Sequence, residues 1–158
     1  MSLLLDPEQS INLVIYCVEK PSPHGFSRVR VINDETEFKR RKELGEDIQE
    51  VRTQWRPMCW RDYVTVNNKS MSTSVNEDGQ IRSVINLFTY RDSLLKTQLM
   101  RWNLEDKSIM SAPTDAQIDK LNPGIAEAMA EAFEKAMKYE EDAAMSSDED
   151  EDDSEGSS

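Results

Sequence analysis

Five glycines, two cysteines, one histidine and no long apolar run leave this 158-residue sequence few routes to chemistry. The glycines fall in neither G-x-x-x-x-G-K nor G-x-G-x-x-G order, so no loop is shaped to cradle phosphates. Cys17, Cys59 and His24 are fewer than the four ligands of a structural zinc and form no paired set. Two thiols are also too few for a disulfide framework, which fits a reduced, cytoplasmic setting. A Cys17 or Cys59 nucleophile would need His24 as its base, and a lone histidine between Pro23 and Gly25 is usually turn decoration. Carboxylates are plentiful but fall in the tail and on helix surfaces, where they are solvated. Neither enzyme activity nor a metal or cofactor is expected.

Membrane insertion has no support either. No run approaches the roughly 20 apolar residues that span a bilayer. The first ten residues, MSLLLDPEQS, lack a basic region and break their leucines with Asp6 and Pro7, unlike a signal peptide. The net charge of −12 is concentrated at one end: residues 140–158 hold ten acidic side chains and no basic one, leaving a body of −2. A near-neutral body without a basic stripe is a poor match for a phosphate backbone, so no nucleic acid partner is expected.

What the sequence does contain is apolar patterning. Ile11–Val18 is β-branched and aromatic and runs into Pro21, Pro23 and Gly25, the pattern of a central strand ending in a turn. Val29 and Val31 alternate with Arg28 and Arg30 in a second strand, and Val51, Thr53 and Trp55 share one face of a third. Between them, Asp34 with Glu37 predicts a capped short helix ending at Gly45. After Pro57, residues 58–66 read equally as a short helix or as a strand from Tyr63 to Val66. Asn67–Gly79 reads as a polar loop. Ser74, Asn76 and Asp78 imitate the opening of a calcium loop, but its twelfth position would be Ile85 rather than a bidentate glutamate, and Asp78 is better read as a helix cap.

From Ile81 the spacing predicts a long amphipathic helix, with Ile81, Val84, Ile85, Phe88, Leu95, Leu99 and Trp102 on one side. Thr114 and Gln117 form a capping box for a short helix carrying Ile118 and Leu121, and Asn122-Pro123 opens a last helix from Gly124 to about Asp142. In it Ile125, Met129, Phe133 and Met137 recur every four residues. Trp55, Trp60 and Trp102 are expected in the core. The whole reads as an α+β fold: a single domain over residues 1–142, a small N-terminal β layer (11–56) packed on a C-terminal helical bundle (81–142). Residues 143–158 read as a disordered acidic tail, since nothing from Ser146 on is worth burying. Ser146 and Ser147, each three residues before an acid, also fit acidophilic kinases.

Several segments between Trp55 and Lys138 carry a resemblance: R-P-M-x-W-R-D-Y-V from Arg56, F-x-Y-R-x-S-L-L from Phe88, R-W-N-L-E-D from Arg101, and P-T-x-x-x-I-x-x-L-N-P from Pro113. Over about half its length the chain resembles the tail assembly chaperones of long-tailed bacteriophages. In those, a tryptophan-asparagine-leucine turn, a proline-threonine cap and a leucine-x-proline hinge precede a closing helix. The resemblance implies a factor in the host cytoplasm that binds apolar helical segments of the tape-measure protein, with tail-tube subunits as a second client, before the tube polymerises. Contact residues expected from the apolar helix faces are Ile125, Met129, Phe133 and Met137, with Tyr90 and Leu94 on the flank of the long helix. Two other classes remain open: a structural neck or tail component of the virion, and an acidic-tail chaperone of a basic cellular partner.

Overall fold

The computed structural model describes residues 3–6 and 8–138. β1 (Ile11–Pro21) is the expected apolar strand, turned back on itself through Ser22–Phe26 into β2 (Ser27–Ile32). α1 (Glu35–Glu43) follows, its first turn capped by Asp34, which accepts from the Thr36 amide at 2.9 Å. Gly45, at φ +80°, ends it in a backbone conformation that a side chain would strain. β3 (Ile48–Trp55) then returns antiparallel to β1.

α2 (Trp60–Ser70) resolves the segment after Pro57 as a helix. β4 (Met71–Val75) and β5 (Ile81–Ile85) form a second hairpin, α3 (Leu87–Gln98) the third helix, and β6 (Leu99–Asp106) and β7 (Ile109–Ser111) a third hairpin. α4 (Asp115–Asp119) and α5 (residues 123–138) close the chain. Thr114 and Gln117 exchange the two hydrogen bonds of the capping box, and Asn122 accepts from the Gly124 amide at 3.0 Å to cap α5. The expected continuation of this helix to about Asp142 and the acidic tail expected over 143–158 lie outside the described residues.

The fold is α+β, with a five-stranded antiparallel sheet in the order β2-β1-β3-β6-β7. One face carries Ile15 and Cys17 of β1, Val51 and Trp55 of β3 and Trp102 of β6 into a core shared with α2, α3 and α5. Leu94, Leu95, Met129 and Phe133 fill it from the helix side. On the opposite face α1 covers one end, the Phe38 ring stacked on Tyr16 at 3.9 Å.

The long helix expected from Ile81 to Trp102 is replaced by strand, helix and strand. Asn86 is the break: its side chain accepts from the Phe88 and Thr89 amides, so α3 begins there. Upstream, Ile81–Ile85 pairs with Met71–Val75 across a turn in which Asn76 Oδ1 binds the Asp78 and Gln80 amides and Gly79 takes φ +76°. The expected polar loop is therefore the end of α2 plus the first arm of this hairpin, and Asp78 sits in its turn instead of capping a helix. Downstream, Leu99–Asp106 is a sheet strand beside β3, so the residues 81–142 are not continuously helical. Among the described residues no helix is long and apolar enough to cross a membrane.

Asn103 shows how the sheet is joined. The β3–β6 register slips between Gln54 and Trp55, and beyond Trp102 the buried Asn103 carboxamide supplies the missing ladder bonds. Its Oδ1 accepts from the Arg52 amide at 2.9 Å and its Nδ2 donates to the Glu50 carbonyl at 3.0 Å. The tryptophan-asparagine-leucine segment is thus a strand with a side-chain splice, not a turn. Asn103→Ala would leave both backbone groups of β3 without partners and should cost about 2–3 kcal/mol in urea unfolding. Asn103→Asp should cost at least as much, because a carboxylate cannot donate to Glu50.

Candidate functional site

α2 and α3 pack against each other, and α5 crosses the sheet face beside them. Arg91 of α3 ties the two layers, reaching Glu131 at 3.3 Å and Glu134 at 3.7 Å. Where the start of α2, the start of α3 and the end of α5 converge, the layers leave a groove of about 460 Å³ lined by Met58, Tyr63, Tyr90, Phe133, Glu134, Met137 and Lys138. A shallower extension passes over Met58 and Cys59 to Trp60. Trp60 and Tyr63, one helical turn apart on α2, stack with ring centroids 6.0 Å apart. Trp60 is 77% exposed, so this tryptophan stands at the rim of the groove and not in the core as expected.

The groove redistributes the expected contact residues. Tyr90 and Met137 line it, half-buried, and Phe133 forms part of its floor. Leu94, Met129 and Phe133 are 0%, 1% and 1% exposed, so the structure corrects their assignment as surface contacts: the α5 stripe faces down onto the sheet and packs the core. Ile125 is half-buried against that core near the start of α5, away from the groove lining. Met58, Trp60 and Tyr63 belong to the site without having been expected there. Their signal was the i, i+3 aromatic pair, hidden while residues 58–66 could be helix or strand.

Below the groove a polar network fixes the start of α2. The Arg56 amide donates to the Gln98 carbonyl at 2.8 Å, and Gln98 Nε2 returns a bond to the Arg56 carbonyl at 3.0 Å. Asp62 takes the Arg56 guanidinium at 2.8 Å and the Cys59 thiol at 3.2 Å. Cys59 is thereby held as a helix cap, and Cys17 is buried under the sheet with its thiol raised, first by burial and then by Glu19. Among the described residues no three His, Cys, Asp or Glu side chains are arranged to hold a metal ion. What the groove offers is shape, aromatic faces and flexible thioethers, flanked by Glu134 and Lys138.

Comparison with known protein families, with curated proteins and with solved structures gives no match to this chain. The reading of the site therefore rests on its geometry.

Two measurements separate core from groove. Phe133→Ala should cost about 3–5 kcal/mol of stability, whereas Met137→Ala, at a half-open position, should cost less than about 1.5 kcal/mol. Burial, then the charge of Glu134 and the neighbouring Tyr63, raises the Tyr90 hydroxyl above the ordinary tyrosine range. The folded chain holds this proton more tightly than the unfolded chain. Its contribution to stability is complete below the ordinary tyrosine pKa and is lost as pH climbs through the raised value. Alkaline spectrophotometric titration should show a late phenolate phase that Tyr90→Phe removes.

Proposed function

We propose that this chain is a protein-binding assembly factor that seats apolar side chains of a partner helix in the groove between α2, α3 and α5. The carrying observation is the groove itself: Met58, Tyr63, Tyr90 and Met137 form an apolar surface around the Phe133 floor, with the exposed Trp60 at its rim. Its volume suits a few side chains from one face of a helix. Methionine adapts to varied shapes, and the two tyrosines and Trp60 offer large contact areas with few rotatable bonds, so the surface tolerates different apolar sequences.

Under the resemblance to phage tail assembly chaperones, the client is the tape-measure protein before tube polymerisation, with tail-tube subunits as a second client, in the host cytoplasm. Such a factor needs no catalytic group. It needs an adaptable apolar surface and enough charge to keep the complex soluble, which ten acidic residues in 140–158 supply.

Affinity for an apolar helical peptide of the tape-measure protein, measured by calorimetry, should fall tenfold or more when Tyr63→Ala and Met137→Glu are combined, a loss of about 1.4 kcal/mol or greater. Removing residues 146–158 should leave it unchanged. Binding that disappears with the tail and weakens steeply with salt would replace this reading by an acidic-arm chaperone of a basic partner. Recovery of the chain in purified particles would replace it by a structural virion component.

A further inference from the structure

The β4–β5 hairpin stands outside the main sheet. Among the described residues its strands pair only with each other, and all ten of their residues are exposed. The register puts Met71 opposite Ile85 and Val75 opposite Ile81, so these four side chains share one face, with Thr73 and Ser83 between them. Ile81 is 72% and Val75 68% exposed. A two-stranded ribbon is marginally stable in water by itself, and an apolar face of this kind gains stability only when something covers it.

The main sheet carries a vacancy of matching form. β2 pairs with β1 only from Tyr16 onward, whereas β3 pairs with β1 from Ile11. Among the described residues no strand adjoins the β2 side of Ile11–Ile15, which is five residues long, as are β4 and β5. This exposed edge reads Ile-Asn-Leu-Val-Ile, with no lysine or other charge and no proline to protect the edge from pairing. Beside it lies a groove of about 430 Å³, walled on one side by Ala128 and Ala132 of α5 with Glu131 and Lys135 beside them, and on the other by Ile32 and Glu35.

We propose that the hairpin of one copy of this chain adds β5 to the open edge of β1 in a second copy, filling the slot that β2 vacates. The backbone ladders join by strand addition. In the continued sheet the apolar hairpin face turns toward α5, where the small side chains of Ala128 and Ala132 leave room for Ile81 and Ile85. The other hairpin face then brings Arg82 to the side of Glu35, opposite charges on matching sides of the sheet. Donor and acceptor surfaces differ, so the contact is heterologous and links copies head to tail. It is independent of the Met58–Met137 groove, which remains available to a client.

The test is the mass of the full chain in solution by light scattering and sedimentation, with two surface variants checked for unchanged circular dichroism and cooperative unfolding. Ile81→Asp charges the hairpin face. Val14→Lys, at a half-open position on β1, installs an edge-protecting lysine facing the side of Arg82. The wild type should assemble above the monomer, and each variant alone should be monomeric. An equimolar mixture should form a dimer, because the intact hairpin of the Val14→Lys chain meets the intact edge of the Ile81→Asp chain. A monomeric wild type, variants that assemble as the wild type does, or a mixture that stays monomeric would each overturn the proposal. Assembly lost only on removing residues 139–158 would overturn it by placing the tail in the slot.

Discussion

The stack of Phe133 on Trp55, with ring centroids 4.7 Å apart and planes 17° apart, is the contact on which the rest of the architecture depends. Trp55 ends β3 and is 0% exposed. Its indole N–H is satisfied locally, donating to Thr53 Oγ1 at 2.7 Å, so the ring can be buried without an orphaned donor. With that requirement met, the flat ring forms a floor for α5. Phe133 fixes the helix against the sheet, and Met129 and Ala130 are carried into the core with it. The groove exists because α5 is held there: its wall is the next turn of the same helix, at Met137.

Polar groups then decide how the elements join. Gln98 and Arg56 extend the β3–β6 ladder past Trp55, the end at which the register slips, with one main-chain and one side-chain bond, and Asn103 extends it in the other direction, beyond Trp102. Each is a carboxamide placed beside backbone groups that would otherwise be buried without partners. The same Arg56 binds Asp62, which aligns the first turn of α2 and so sets Trp60 and Tyr63 at the groove. Fold and site therefore share their joints.

The first three strands, the capped α1 and the two C-terminal helices were legible because their signals are local. Asp34, Thr114 and Asn122 cap within three or four residues, and β-branched runs announce strands whatever they pair with. The long helix was misread for a physical reason: residues four apart share a face both in a helix and in a strand, so Ile81 with Ile85, and Leu95 with Leu99, satisfy either period. The deciding signals were a turn at Asn76–Gly79 between two five-residue runs, and Asn86 as a cap in mid-pattern. Of the expected contacts, Tyr90 and Met137 reach the groove. Leu94, Met129 and Phe133 could not be told from surface residues, because a stripe shows that a face is covered without showing by what.

Composition, caps and strand runs by themselves determined an α+β chain with its acidity at one end, since each of those depends on neighbours in the sequence. Only tertiary structure decided which apolar residues are core and which are site. That choice depends on the Trp55–Phe133 stack, which joins residues 78 apart in sequence. It depends equally on the sheet drawing Leu99–Asp106 in beside β3, because burial belongs to the assembled surfaces and not to any one segment.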